Sequence, residues 1–218
     1  MICGVDESGR GPVIGPLVIA GVSVQDEKTL TDLNVADSKK CTPQRREKLE
    51  KLIKNKADKY EILVIPASDI NTLMKTLTLN ELEVYGFSRI IEKMKPQVCI
   101  VDSADVNEER FRQNILSKLS YKPELKSKHK ADETYPVVSA ASILAKTERD
   151  RQIRMIEKEL QSKLPLPLGS GYPADPVTMH FLRVYLKTYN ELPPHVRDAW
   201  VTIKNLLNEY KNKRIDEY

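Results

Sequence analysis

The chain is poor in cysteine and glycine and has no long apolar run. Its three cysteines, Cys3, Cys41 and Cys99, are odd in number, far apart and without C-x-x-C spacing. That pattern argues against a disulfide framework and against a zinc site, and it fits a reducing cytoplasm. The longest apolar stretch, Pro12 to Val24, is broken by Pro12, Gly15 and Pro16 and falls short of a membrane span. Met1-Ile2-Cys3-Gly4 has no basic region ahead of an apolar one, so no secretion signal is expected. Repeats, low-complexity tracts and Gly/Ser linkers are lacking. Charge of one sign is also scarce: a net +4 over 218 residues favours a polyanionic partner only mildly.

What is there suits a folded, heavily charged globular protein, with 40% hydrophobic and 30% charged residues. The length predicts one substantial core with a small appendage. Strand-like and helix-like patterns alternate, which argues for an α/β layer architecture. Ile2 to Val5 reads as a short buried strand, and Leu17 to Val24 as a second strand, close enough to be its antiparallel neighbour. Thr42-Pro43 reads as an N-cap with proline at the first helical position, opening a basic helix to about Lys56; Tyr60 to Ile65 is the next strand. Thr78-Leu79-Asn80-Glu81 matches a capping box ahead of a helical apolar pattern. Gln97 to Val101 is a buried strand that would deliver Asp102 to the carboxyl edge of a sheet. Further helices are expected from about Val106 to Leu119 and Val137 to Ser162, from Asp175-Pro176 to the Pro193-Pro194 break, and from Val196 to Tyr210. Between the first two lies a polar stretch to Tyr135.

The densest chemical signal is Gly4-Val5-Asp6-Glu7-Ser8-Gly9-Arg10-Gly11-Pro12. A carboxylate on a buried strand is costly unless it is paired or binds a cation, and Asp6 has no basic neighbour before Arg10. Taken alone, the segment is as readily a solvated Asp-Glu turn. The loop lacks the G-K-[ST] ending of a phosphate loop, and Gly9, Gly11 and Gly15 do not form a G-x-G-x-x-G fingerprint. Glycines at 9 and 11 do leave a bare backbone that can approach a ribose or phosphate closely. Lys39, Lys40, Arg45 and Arg46 form a basic run that is either a solvated face or a phosphate contact. Asp102 could cap a turn, and Asp132 could pair with Lys128 or Lys130 at the surface. His129, His180 and His195 show no metal-ligand spacing.

Asp6-Glu7-Ser8-Gly9-Arg10-Gly11-Pro12 resembles the D-E-x-G-R-G-P motif of the ribonuclease HII family. Asp37-Ser38-Lys39-Lys40, Val101-Asp102-Ser103, His129-Lys130-Ala131-Asp132, Ser139-Ala140-Ala141-Ser142-Ile143 with Lys146, and Gly171-Tyr172-Pro173-Ala174-Asp175-Pro176 resemble further family segments in the family's order. Ser8 stands where alanine is common, and Cys41 where an aliphatic residue is usual. The Leu192–Trp200 tail looks archaeal.

The resemblance implies a ribonuclease H-like fold, with a mixed five-stranded sheet flanked by helices over 1–184 and a small C-terminal helical region over 185–218. It implies that Asp6, Glu7, Asp102 and Asp132 converge as catalytic acids on two divalent ions, Mg2+ or Mn2+, to which hard oxygen ligands are suited. Gly9, Arg10 and Gly11 would recognise a ribose 2′-hydroxyl. Lys39, Lys40, Arg46, Ser139 and Lys146 would lie along the substrate backbone, and Tyr172 would stack on the sugar after the ribonucleotide. The expected partners are RNA–DNA hybrids and ribonucleotide-containing duplex DNA, cut by a cytoplasmic monomer with no membrane partner. Some family members dock on the replication sliding clamp through a C-terminal peptide, but Asn205 to Tyr218 lacks a clean match to that motif. The rival readings are another carboxylate nuclease of the ribonuclease H-like superfold, such as a resolvase, and a non-catalytic hybrid binder.

Overall fold

Two apolar, β-rich segments near the N-terminus form a hairpin, and the rest of the sheet is built outward from it. A computed structural model describes residues 1–33, 35 and 42–216, with 213–216 as backbone alone. Strand β1 (Ile2–Ser8) pairs antiparallel with β2 (Leu17–Val24). β3 (Lys59–Ile65) lies beyond β2; β4 (Val98–Asp102) and β5 (Glu124–Lys128) follow β1 on the other side in parallel register. The order is β3-β2-β1-β4-β5, the mixed five-stranded sheet expected. β5 falls within the stretch that the sequence marks only as polar. Its Glu-Leu-Lys-Ser-Lys sequence is an alternating edge strand that buries only Leu125 and Ser127.

The helices are α1 (Lys28–Thr31), α2 (Pro43–Lys56), α3 (Ala67–Leu73), α4 (Leu79–Met94), α5 (Glu108–Leu116), α6 (Ala131–Thr134), α7 (Pro136–Gln161), α8 (Pro176–Tyr189) and α9 (Val201–Asp216). Their starts follow local chemistry. The Thr42 side chain accepts from the Arg45 N–H, and Thr78 and Glu81 form a reciprocal capping box. Asn107 and Asp175 cap α5 and α8 in the same way. α8 stops at Asn190, which is in the left-handed conformation (φ 57°), before the prolines are reached. α9 begins at Val201 rather than at Val196.

The chain packs as two compact units. The first comprises 1–8, 18–64 and 77–148. Its core joins Val18, Ala20, Val22 and Val24 of β2 to Val137, Val138, Ala141 and Leu144 of α7. Gly4 lets α7 approach β1 so closely that a Cβ there would lie 2.2 Å from the Val137 backbone; a Cβ on Gly21 would lie 2.5 Å from Ile90 of α4. The second unit comprises 9–17, 65–76 and 149–218. Val13 and Ile14 pack in it with Ile153, Leu160, Phe181, Leu182, Tyr185 and Ile203. Residues 184 and 185 lie inside α8, and this core packs the later part of α7 with α8 and α9.

Candidate functional site

Asp6, Asp102 and Asp132 come from separate segments, and their carboxylates meet. One oxygen of each lies within 4.8 Å of the others. β1 carries Asp6 near its carboxyl end, and its parallel neighbour β4 ends on Asp102. Asp132 sits in the first turn of α6, entered through Lys130 in the left-handed conformation (φ 56°). Asp6 and Asp132 are 4% and 3% exposed, so their charges have little water to screen them. The Asp102 carboxylate accepts the Ala131 N–H at 2.9 Å.

Burial pushes the Asp6 carboxyl up to about 6, and the Asp102 carboxylate pushes the same way; Ser142, Lys146 and the Glu7 N–H pull it back. That N–H donates to Asp6 at 2.7 Å. Lys146 donates to the Ser142 hydroxyl at 2.7 Å and stands 3.8 Å from an Asp132 oxygen. The cluster gathers three hard-oxygen donors, with Lys146 beside them. Such a set fits a hard divalent cation.

Glu7, the other expected acid, is half-buried at the end of β1 and is not part of the three-acid group. Ser139, expected along the substrate backbone, is 1% exposed and donates to the Asp132 backbone carbonyl. It braces the acid instead of facing solvent. Asp132 does not pair with Lys128, which binds Glu108 at 3.1 Å. Arg46 lies in the first turns of α2, half-buried. Lys39 and Lys40, with Asp37, Ser38 and Cys41, lie outside the described residues.

In the second unit the glycine turn is built as a tight backbone loop. Gly9 has φ +90°, and a Cβ there would lie 2.5 Å from the Pro16 carbonyl. Gly11 faces the Tyr172 ring, with Cε1 3.7 Å from where its Cβ would be. Tyr172 is 37% exposed, and the Arg149 guanidinium lies 4.8 Å from its ring centroid. Arg149 donates to the Ser170 carbonyl at 2.5 Å, and the Val13 N–H donates to the Gly171 carbonyl at 2.8 Å. Arg197 is fully buried and donates to the carbonyls of Gly9, Arg10 and Gly15 at 2.7, 3.1 and 2.9 Å. Neither Arg149 nor Arg197 stood out in the sequence. Arginine is usually exposed, and no local pattern marks one that will be buried.

The model of the family described as Ribonuclease HII matches residues 3–203. The chain is similar to the ribonuclease HII of Methanosarcina barkeri, at 45% identity over 97% of both chains. The crystal structure of the ribonuclease H2 from Pyrococcus horikoshii superposes with a TM-score of 0.88 at 40% identity, covering 96% of this chain and 98% of that one. The ribonuclease HII of Archaeoglobus fulgidus, in the structure of its complex with PCNA, gives 0.85 at 39% identity, covering 94% and 96%. The matched length takes in the three clustered acids, the glycine turn and Tyr172: the chain belongs to the ribonuclease HII family.

Proposed function

We propose that the protein cuts the RNA strand of RNA–DNA hybrids and the 5′ side of single ribonucleotides embedded in duplex DNA, leaving 3′-hydroxyl and 5′-phosphate ends. As a ribonuclease HII it is a ribonuclease H endonuclease that hydrolyses phosphodiester bonds. The observation that carries the chemistry is the meeting of Asp6, Asp102 and Asp132 within 4.8 Å.

These three acids, with Glu7 as the fourth, would hold two divalent ions, Mg2+ or Mn2+. The bound ions would lower the pKa of the attacking water and stabilise the leaving 3′-oxygen. A cation held beside Asp6 would favour its charged form, against the burial that raises its carboxyl. Lys146 offsets part of the acids' charge and offers an ammonium to the substrate backbone, with Arg46, Lys39 and Lys40 as further phosphate contacts. The backbone of Gly9, Arg10 and Gly11 would read the ribose 2′-hydroxyl, the group that distinguishes RNA from DNA. Tyr172, ring half-exposed, would favour a deoxyribose at the next nucleotide.

No helix among the described residues is long and apolar enough to cross a membrane, and the proposed setting is the cytoplasm, with the enzyme acting as a monomer. The clamp complex of the Archaeoglobus relative supports a sliding-clamp partner as well.

The test is a gel assay on three duplexes: one ribonucleotide in DNA, an RNA–DNA hybrid, and DNA alone. With Mg2+ or Mn2+ the first two are cut and the third is not, and chelation stops all cutting. Equal cleavage of plain DNA, or cleavage that survives chelation, would reject the reading.

A further inference from the structure

Arg197 heads the fully buried side chains among the described residues by volume, and its charge is met largely by backbone. Nη2 donates to the Gly9 carbonyl, Nη1 to that of Arg10 and Nε to that of Gly15. The remaining face of the guanidinium lies 4.9 Å from the Trp200 ring centroid. Burying a cation costs stability unless its donors are satisfied in good geometry, and a planar fork with fixed N–H directions suits carbonyls held at fixed spacing. The base of the fork is itself held. The Arg197 N–H donates to the Val13 carbonyl at 2.8 Å, and Asn71 of α3 clips both sides, donating to the Val196 carbonyl at 2.9 Å and accepting from the Asp198 N–H at 3.1 Å.

The consequence follows from peptide geometry. In a trans peptide the C=O and the next N–H point in opposite directions, and no cis bond occurs here. A fork that draws the Gly9 and Arg10 carbonyls to one side therefore turns the N–H groups of Arg10 and Gly11 to the other.

We propose that Arg197 is a positioning residue for 2′-hydroxyl recognition: it holds the glycine turn so that the Arg10 and Gly11 N–H groups are aimed together at the ribose 2′-oxygen. The inference rests on the reading of the turn given above, and it adds a residue distant in sequence. Prior alignment of two donors removes the ordering cost that a loose glycine loop would meet on binding. Lysine would keep the charge but not the fork.

The test compares the protein with R197K for binding, without divalent metal, to a duplex carrying one ribonucleotide and to the same duplex in DNA. The unaltered protein is expected to prefer the ribonucleotide duplex by about tenfold, the worth of well-aligned hydrogen bonds. R197K is expected to lose that preference while its affinity for plain DNA and its Mn2+ binding by calorimetry stay unchanged. A folded R197K that keeps the preference overturns the proposal, as does one that weakens on both duplexes alike, which is the mark of a merely structural arginine. An unaltered protein with no preference sinks the reading of the turn, and this inference with it. Should R197K not fold, NMR of the unaltered protein decides. The Arg10 and Gly11 amides are expected to be as ordered as the core before any duplex is added, with the Arg197 guanidinium protons slow to exchange, and to shift on the ribonucleotide duplex but not on plain DNA; amides that are loose in the unbound protein, or guanidinium protons that exchange freely, overturn the proposal.

Discussion

The carboxylate of Asp102 accepts a hydrogen bond from the backbone N–H of Ala131, so the acid that ends β4 also holds the residue preceding Asp132. One side chain thus has two duties, charge in the cluster and an anchor for the neighbouring acid.

Asp102→Asn separates those duties. The amide oxygen still accepts from Ala131, so the fold is kept, while Mg2+-dependent cleavage falls by about a thousandfold as the charge is lost. Asp102→Ala loses the anchor too and is less stable than the asparagine variant by about 1 kcal/mol, read by denaturant unfolding.

Asp6 gives a pH prediction for the metal-free protein. Its carboxyl is raised by burial and by Asp102 from 3.8 to about 6 in the folded state. The folded chain therefore holds the proton more tightly than the unfolded one. The stability this contributes is complete below about pH 4 and is lost as pH rises through 6. Asp6→Asn does not titrate, so at pH 7 without metal it unfolds at higher denaturant than the unaltered protein, by up to about 3 kcal/mol. At pH 4 the gap closes. Saturating Mn2+ stabilises the unaltered protein and leaves the variant little changed.

Gly4→Ala tests the close approach of β1 and α7. The added methyl would sit 2.2 Å from the Val137 backbone, which has no side-chain freedom to yield, and the expected loss is about 3 kcal/mol. An unchanged melting temperature would show the contact to be slack.

Tyr172 predicts a change in substrate choice. With the ring gone in Tyr172→Ala, kcat/KM on the single-ribonucleotide duplex falls by about tenfold, while cleavage of the hybrid falls less. Tyr172→Phe keeps the ring over Arg149 and retains the order of preference. Equal losses on both substrates in the alanine variant would remove Tyr172 from the specificity argument.

Much of this architecture was legible in the sequence because local chemistry and tertiary structure agree. The Thr78–Glu81 box, Thr42-Pro43 and Asp175-Pro176 each start a helix where they stand. Asp102 could be placed at a strand's carboxyl end because Val98 to Val101 is apolar and β-prone. β5 escaped because an edge strand with one apolar residue reads as loop. The early end of α8 escaped because Asn190 caps it before the prolines could. The motif named the acids but not their distances, and so not that Glu7 stands outside the three that cluster. Arg197 was beyond reach of any local reading, since the carbonyls its side chain binds are 182 to 188 residues away.

That separation matters while the protein is being made. Asp6, Asp102 and Asp132 are all synthesised well before residue 197, whereas the loop that begins at Gly9 waits 188 residues for the side chain that holds its carbonyl. A nascent chain that stops short of residue 197 would therefore carry the three clustered acids with an unfastened glycine loop.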